Sequence, residues 1–118
     1  MSNREAAKDL VHRVTSGKLL EAFDKYYAEG VVMQENRKDP MVGKAANRER
    51  EEGFVGSVDS VHSVTVPNIV VDGDQVVIHW IMDLTFKGGI RVTMDQLAQQ
   101  TWHEGKIVRE RFVYDTAA

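Results

Sequence analysis

The sequence predicts an α+β fold of three helices packed on a mostly antiparallel sheet. Two observations carry this. Up to about residue 58 most apolar residues recur with helical spacing, and from Ser60 onward β-branched and aromatic residues take over, punctuated by Asp72-Gly73-Asp74, Lys87-Gly88-Gly89 and Glu104-Gly105. A chain of 118 residues is also the size of one domain, long enough to bury a substantial core.

Ser2 and Glu5 have capping-box spacing, and Ala7, Leu10, Val11 and Val14 then mark one face of a first helix ending near Thr15. After Ser16-Gly17, the stripe Leu19, Leu20, Phe23, Tyr26 and Tyr27 predicts a second helix running to about Gly30. Val31, Val32 and Met33 favour a short strand stopped by the polar residues 36–40. A charged third helix is expected over 44–58, with Ala46, Phe54 and Val58 as its buried candidates. Its stretch 48–52 mixes arginine with Glu49, Glu51 and Glu52 and reads as a solvated face.

The turn signals then delimit four strands, 60–71, 75–86, 90–103 and 106–114, joined as an antiparallel meander. Pro67 lacks an N–H and should bend the first of them. A two-residue Gly88-Gly89 turn would set Asp83 opposite Met94, Ile81 opposite Gln96 and His79 opposite Ala98. One face would then hold His79, Asp83, Gln96 and Gln100, and the reverse Ile78, Trp80, Met82 and Leu97. Three helices cover only one face, so the apolar reverse, on Ile78, Trp80, Met82 and Leu97, is expected to meet a second copy in a homodimer.

Composition narrows the function. With 42% apolar and 28% charged residues the chain should fold on its own, and a net charge of −3 argues against a general nucleic-acid binder. No cysteine is present, which removes thiolate chemistry and disulfides. The start of the chain has no stretch resembling a signal peptide, and no run approaches the roughly 20 apolar residues of a membrane span. A cytoplasmic protein without membrane contact is expected. The histidines lack metal-site spacing and no glycine-rich phosphate loop follows a strand, so neither metal nor cofactor is expected.

Three segments carry a family resemblance: 27–36 (Tyr-Ala-Glu-Gly-Val-Val-Met-Gln-Glu-Asn), 42–47 (Val-Gly-Lys-Ala-Ala-Asn) and 104–115, which opens Glu-Gly-Lys-Ile-Val-Arg. In these and in its order of elements the chain resembles the nuclear transport factor two-like superfamily, and within it the SnoaL-like branch named for a polyketide cyclase. The resemblance implies a strongly curved, cone-shaped α+β barrel of the cystatin-like kind around a pocket for a small, largely apolar, oxygen-containing molecule. It leaves open an isomerase, cyclase or hydrolase, a non-catalytic binding protein, or a dimeric interaction module.

At residue level the resemblance points to Glu35. Ketosteroid isomerases place a general-base aspartate there, and limonene epoxide hydrolases a water-positioning asparagine. Glu35 is thus the expected catalytic residue, its pKa open to elevation by an apolar pocket. The expected ligand contacts are Met33, His79, Ile81, Asp83, Met94, Gln96, Ala98, Gln100, Glu110, Phe112 and Tyr114. The partners of both known reactions are replaced: the isomerase oxyanion hole falls on Leu10, Val11 or His12 and on Ala98, and the hydrolase arginine and aspartates on His79, Ile81 and Phe112. Glu110, Phe112 and Tyr114 face inward only if the Glu104-Gly105 connection has an odd number of residues, as a three-residue loop with Gly105 left-handed provides.

Overall fold

The computed structural model describes residues 1–116. Helix α1 (Asn3–Thr15) starts on a complete capping box, with Ser2 and Glu5 each accepting the other's backbone N–H. Helix α2 (Leu19–Tyr26) follows after a short turn. Strand β1 (Tyr27–Glu35) begins directly where α2 stops, four residues earlier than the helical stripe suggests. Tyr27 is extended and pairs with Ile107, so sheet pairing overrides the local helical pattern at this junction.

The remaining elements are β2 (Met41–Val42), α3 (Lys44–Ser57), β3 (Val58–Thr65), β4 (Ile69–Asp72), β5 (Gln75–Phe86), β6 (Ile90–His103) and β7 (Lys106–Val113). The sheet order is β2-β1-β7-β6-β5-β3, with β4 also on β5. All pairs are antiparallel except β1 with β7, a parallel contact that joins β1 and β2 to the rest of the sheet. The expected fold of three helices on a curved sheet is therefore present. The strand expected over 60–71 is split: β3 and β4 flank Pro67, and both lie along β5. On α3, Ala46 is exposed and Asn47 is buried instead, donating to the carbonyls of Met41 (3.0 Å) and Gly43 (2.8 Å).

The β5–β6 hairpin corrects the expected register. Phe86 pairs with Ile90, so the loop is the three residues Lys87, Gly88 and Gly89, with φ of +98° at Gly88 and +85° at Gly89. One residue more in the loop exchanges the two faces of β5 relative to β6. Ile78 now lies beside Ala98, Trp80 beside Gln96 and Met82 beside Met94. His79, Ile81 and Asp83 point away from the helices. The interface drawn on Ile78, Trp80, Met82 and Leu97 is corrected with it. The first three are buried at 0, 4 and 8% exposure, under a helical layer, and only Leu97, 42% exposed, lies on the outer face. The helices cover the apolar face, which removes the need for a partner there.

The last hairpin reaches the expected facing by a different device. His103 pairs with Lys106, so Glu104-Gly105 is a two-residue loop, both residues left-handed (φ +49° and +76°). A bulge restores the parity: Trp102 pairs with Ile107 but Thr101 with Arg109, leaving Val108 over. Gln100 consequently meets Glu110, and Glu110 and Phe112 face the helices.

Candidate functional site

Between the helices and the inner sheet face lies a cavity of about 430 Å³. Helices α1 and α2 contribute Leu10, Val14, Leu19, Ala22 and Phe23. The sheet contributes Tyr27 and Glu35 from β1, Trp80 and Met82 from β5, Met94 and Gln96 from β6, and Glu110 and Phe112 from β7. From α3 come Arg50, Glu51, Gly53, Phe54 and Ser57. Arg50 and Glu51 stand four and three residues before Phe54, so the half-buried aromatic of α3 brings both charges to its face.

Register explains this selection. Ala98, Phe112 and Glu35 form one cross-strand row, and Gln100, Glu110 and Met33 the next. The most buried polar group in the cavity lining is Glu110, 1% exposed. Gln100 Nε2 donates to its Oε2 at 2.6 Å, and Tyr27 Oη makes a short hydrogen bond to its Oε1. Trp102 Nε1 in turn donates to Gln100 Oε1 at 2.9 Å. Phe23 stacks on Tyr27 with ring centroids 4.5 Å apart, fixing the phenol from the helix side.

Burial sets the electrostatics. Loss of solvent pushes the Glu110 carboxyl up to about 7, against the opposing effect of the Tyr27 and Gln100 hydrogen bonds. Tyr27 is raised well above the usual phenol range by burial and by the neighbouring Glu110. Glu51 is raised by burial and by the charge of Glu35, while Arg50 pulls it down. A carboxyl poised near neutrality, beside a phenol and an oriented amide, is chemically able to take up and return a proton.

Of the residues named from sequence, Glu35, Met94, Gln96, Glu110 and Phe112 line the cavity. Met33, Ala98 and Gln100 are fully buried behind its wall. Tyr114 lies just past β7, where its N–H donates to Asn36 Oδ1 at 2.9 Å. His79, Ile81 and Asp83 are corrected to the outer face: His79 Nε2 meets Asp95 Oδ1 at 2.7 Å, and Asp83 holds Arg91 through two contacts of 3.0 and 2.8 Å. Sequence reasoning missed Tyr27, Arg50, Glu51 and Trp80. For Arg50 and Glu51 the spacing to Phe54 was an available signal. For Trp80 it was the unbroken apolar alternation of Val76, Ile78, Trp80, Met82 and Leu84.

Three helices on a curved sheet, with an apolar cavity and a buried carboxyl between them, define a protein of the nuclear transport factor two-like fold. The chain belongs to the SnoaL-like family, whose domain model matches residues 1–114. A Mesorhizobium loti protein provisionally described as a SnoaL-like polyketide cyclase, and also labelled a carbohydrate phosphatase, is 33% identical to it. That pair covers 97% of this chain and 100% of the other, with a TM-score of 0.85. An uncharacterised cystatin-fold protein from Novosphingobium aromaticivorans is 19% identical (97% and 99% covered, TM-score 0.80). A hypothetical protein of ketosteroid isomerase-like fold from Catenulispora acidiphila, solved with trimethylamine, is 15% identical (99% and 89% covered, TM-score 0.78). At the last two identities the likeness is one of fold. No curated protein is significantly similar to the chain. Among the described residues no helix is long and apolar enough to cross a membrane.

Proposed function

We propose that the chain binds a small, largely apolar, oxygen-containing molecule in its cavity and catalyses a cofactor-free proton transfer on it. Such a step serves isomerisation, cyclisation or hydrolysis. Glu110 is the acid–base group, and Glu35, the position singled out by the family resemblance, is a second carboxylate in the lining. The carrying observation is the buried Glu110 carboxyl with Tyr27 and Gln100 on its oxygens. As a base, Glu110 would take a proton from a carbon beside a ligand carbonyl. Once protonated it donates to Tyr27, whose own O–H is then released to turn toward the enolate oxygen.

The test offers a bicyclic ketone such as β-tetralone in deuterated water and follows loss of its α-proton signals. The protein should accelerate exchange above the buffer rate, and Glu110→Gln should lower that acceleration by about 10²-fold or more. Exchange at the parental rate in Glu110→Gln would remove the assigned role. A second reading, binding without catalysis, is favoured by both Glu110 oxygens already holding a partner, and ketone binding without exchange would select it.

Two further expectations stand as proposals. A cytoplasmic location is compatible with the cysteine-free chain, which holds no disulfide to lose in a reducing compartment. Self-association, if moved to the outer face, has the cross-strand pair Leu97 and Val113, 42 and 41% exposed, as its apolar centre. Sedimentation at micromolar concentration tests it, a dimer that Leu97→Glu dissociates being the supporting result and a monomer the opposing one.

A further inference from the structure

We infer that the cavity selects a ligand bearing a protonated amine on its apolar body, with Glu51 and Glu35 as the partners of that amine. The inference rests on the pocket reading above and adds the charge of the ligand.

The lining holds three carboxyls and one guanidinium. Glu110 is committed to Tyr27 and Gln100. Among the described residues, the side-chain carboxyls of Glu51 and Glu35 have neither a hydrogen bond nor an ion pair. Three acids outside the cavity show what an available cation does: Asp9 pairs with Arg13, Asp24 with Arg48 and Asp83 with Arg91. Two carboxylates without such a partner, facing one partly buried cavity, are costly unless a ligand meets them.

Arg50 does not repair the imbalance. Neighbours one apart on a helix do not face each other, so Arg50 cannot pair with Glu51 by contact. Its charge lowers both Glu51 and Glu110, yet both remain raised. A cation entering the cavity would favour the ionised form of each. The faces of Phe54, Trp80 and Phe112 add the aromatic surface that attracts ammonium groups. The volume suits a bicyclic ring with a one-carbon arm.

Three probes of one shape decide it: naphthylmethylamine, naphthylmethanol and naphthoate, titrated calorimetrically into the full chain at pH 7. The amine should bind about tenfold or more tighter than the alcohol, with naphthoate weakest. Glu51→Gln and, separately, Glu35→Gln should each reduce the preference for the amine while leaving the alcohol within about twofold of its parental Kd. Titrations in two buffers of different ionisation heat should report proton release for the amine and none for the alcohol. An alcohol as tight as the amine, or naphthoate tightest, overturns the inference while leaving the pocket reading intact. Absence of binding by all three removes both.

Discussion

The side-chain amide of Gln100 bridges Trp102 and Glu110, accepting from the indole at 2.9 Å and donating to the carboxyl at 2.6 Å. An indole N–H only donates, so the amide has one orientation, with its NH₂ aimed at Glu110. Gln100→Leu removes a donor that holds the Glu110 pKa down, and the carboxyl should titrate above about 7 as a result. It also leaves the buried Trp102 N–H without its acceptor, a loss of about 1–3 kcal/mol in unfolding free energy. Infrared titration of the carboxyl C=O band and urea denaturation measure the two effects.

Glu110 makes stability depend on pH with a definite sign. Its folded pKa, about 7, lies above the ordinary carboxyl value of 4.5, so the native state binds the proton more tightly than the unfolded chain. Its contribution is fully present below about pH 4.5, falls as pH rises toward 7, and is flat above that. The slope within the window approaches about 1.4 kcal/mol per pH unit. Glu110→Gln should remove this slope, so the stability difference between parent and variant should shift in favour of the variant from pH 5 to pH 8. An unchanged difference would contradict the elevated value.

Asn36 ties the end of β7 to β1. It is left-handed (φ +50°), its N–H donates to Phe112 O at 2.7 Å, its side-chain oxygen accepts from Tyr114 N–H at 2.9 Å, and its carbonyl accepts from Arg111 Nε at 2.9 Å. Asparagine suits both the backbone region and the contact. Asn36→Ala should cost about 1–2 kcal/mol and speed hydrogen exchange at the Tyr114 amide, while the Gln100 and Trp102 amides keep their protection. Equal loss at all three would mean a global effect instead.

What the sequence made legible follows from how far each signal reaches. Helix α1 was readable because its start rests on a capping box of residues 2 and 5, and β5 and β6 were readable to the residue because turn glycines bound them. Facing was harder, because it depends on counting residues in a loop. Gly88-Gly89 fits a two-residue turn as well as the end of a three-residue one, and the choice inverted β5, moving His79, Ile81 and Asp83 out and Trp80 and Met82 in. At β7 the facing of Glu110 came out as expected only because the bulge at Val108 offset a loop one residue shorter than supposed. Bulges leave no local signature in this segment. The uniform apolar alternation from Val76 to Leu84, against polar residues at 79 and 83, was the stronger guide to the covered face, since burial of an unmixed apolar row outweighs the preference for one turn length.

The corrected facing of β5 is itself testable through Trp80 and His79, neighbours on opposite sides of one strand. Trp80 is 4% exposed and lines the cavity, whereas His79 meets Asp95 on the outer face, where the Asp95 side chain is 64% exposed. Trp80→Ala should therefore cost about 3–5 kcal/mol, as large-to-small changes in a core do, and weaken binding of any aromatic probe that enters the cavity. Trp80→Phe keeps most of the volume, and should restore folding while still altering probe affinity and removing the fluorescence quenching that probe binding would impose on an indole in the wall. His79→Ala breaks only a solvent-screened contact, so stability should change by less than about 1 kcal/mol and probe affinity not at all. The opposite pattern, a severe His79→Ala and a mild Trp80→Ala, would require a two-residue Gly88-Gly89 turn and return the helical layer to the other face of the sheet.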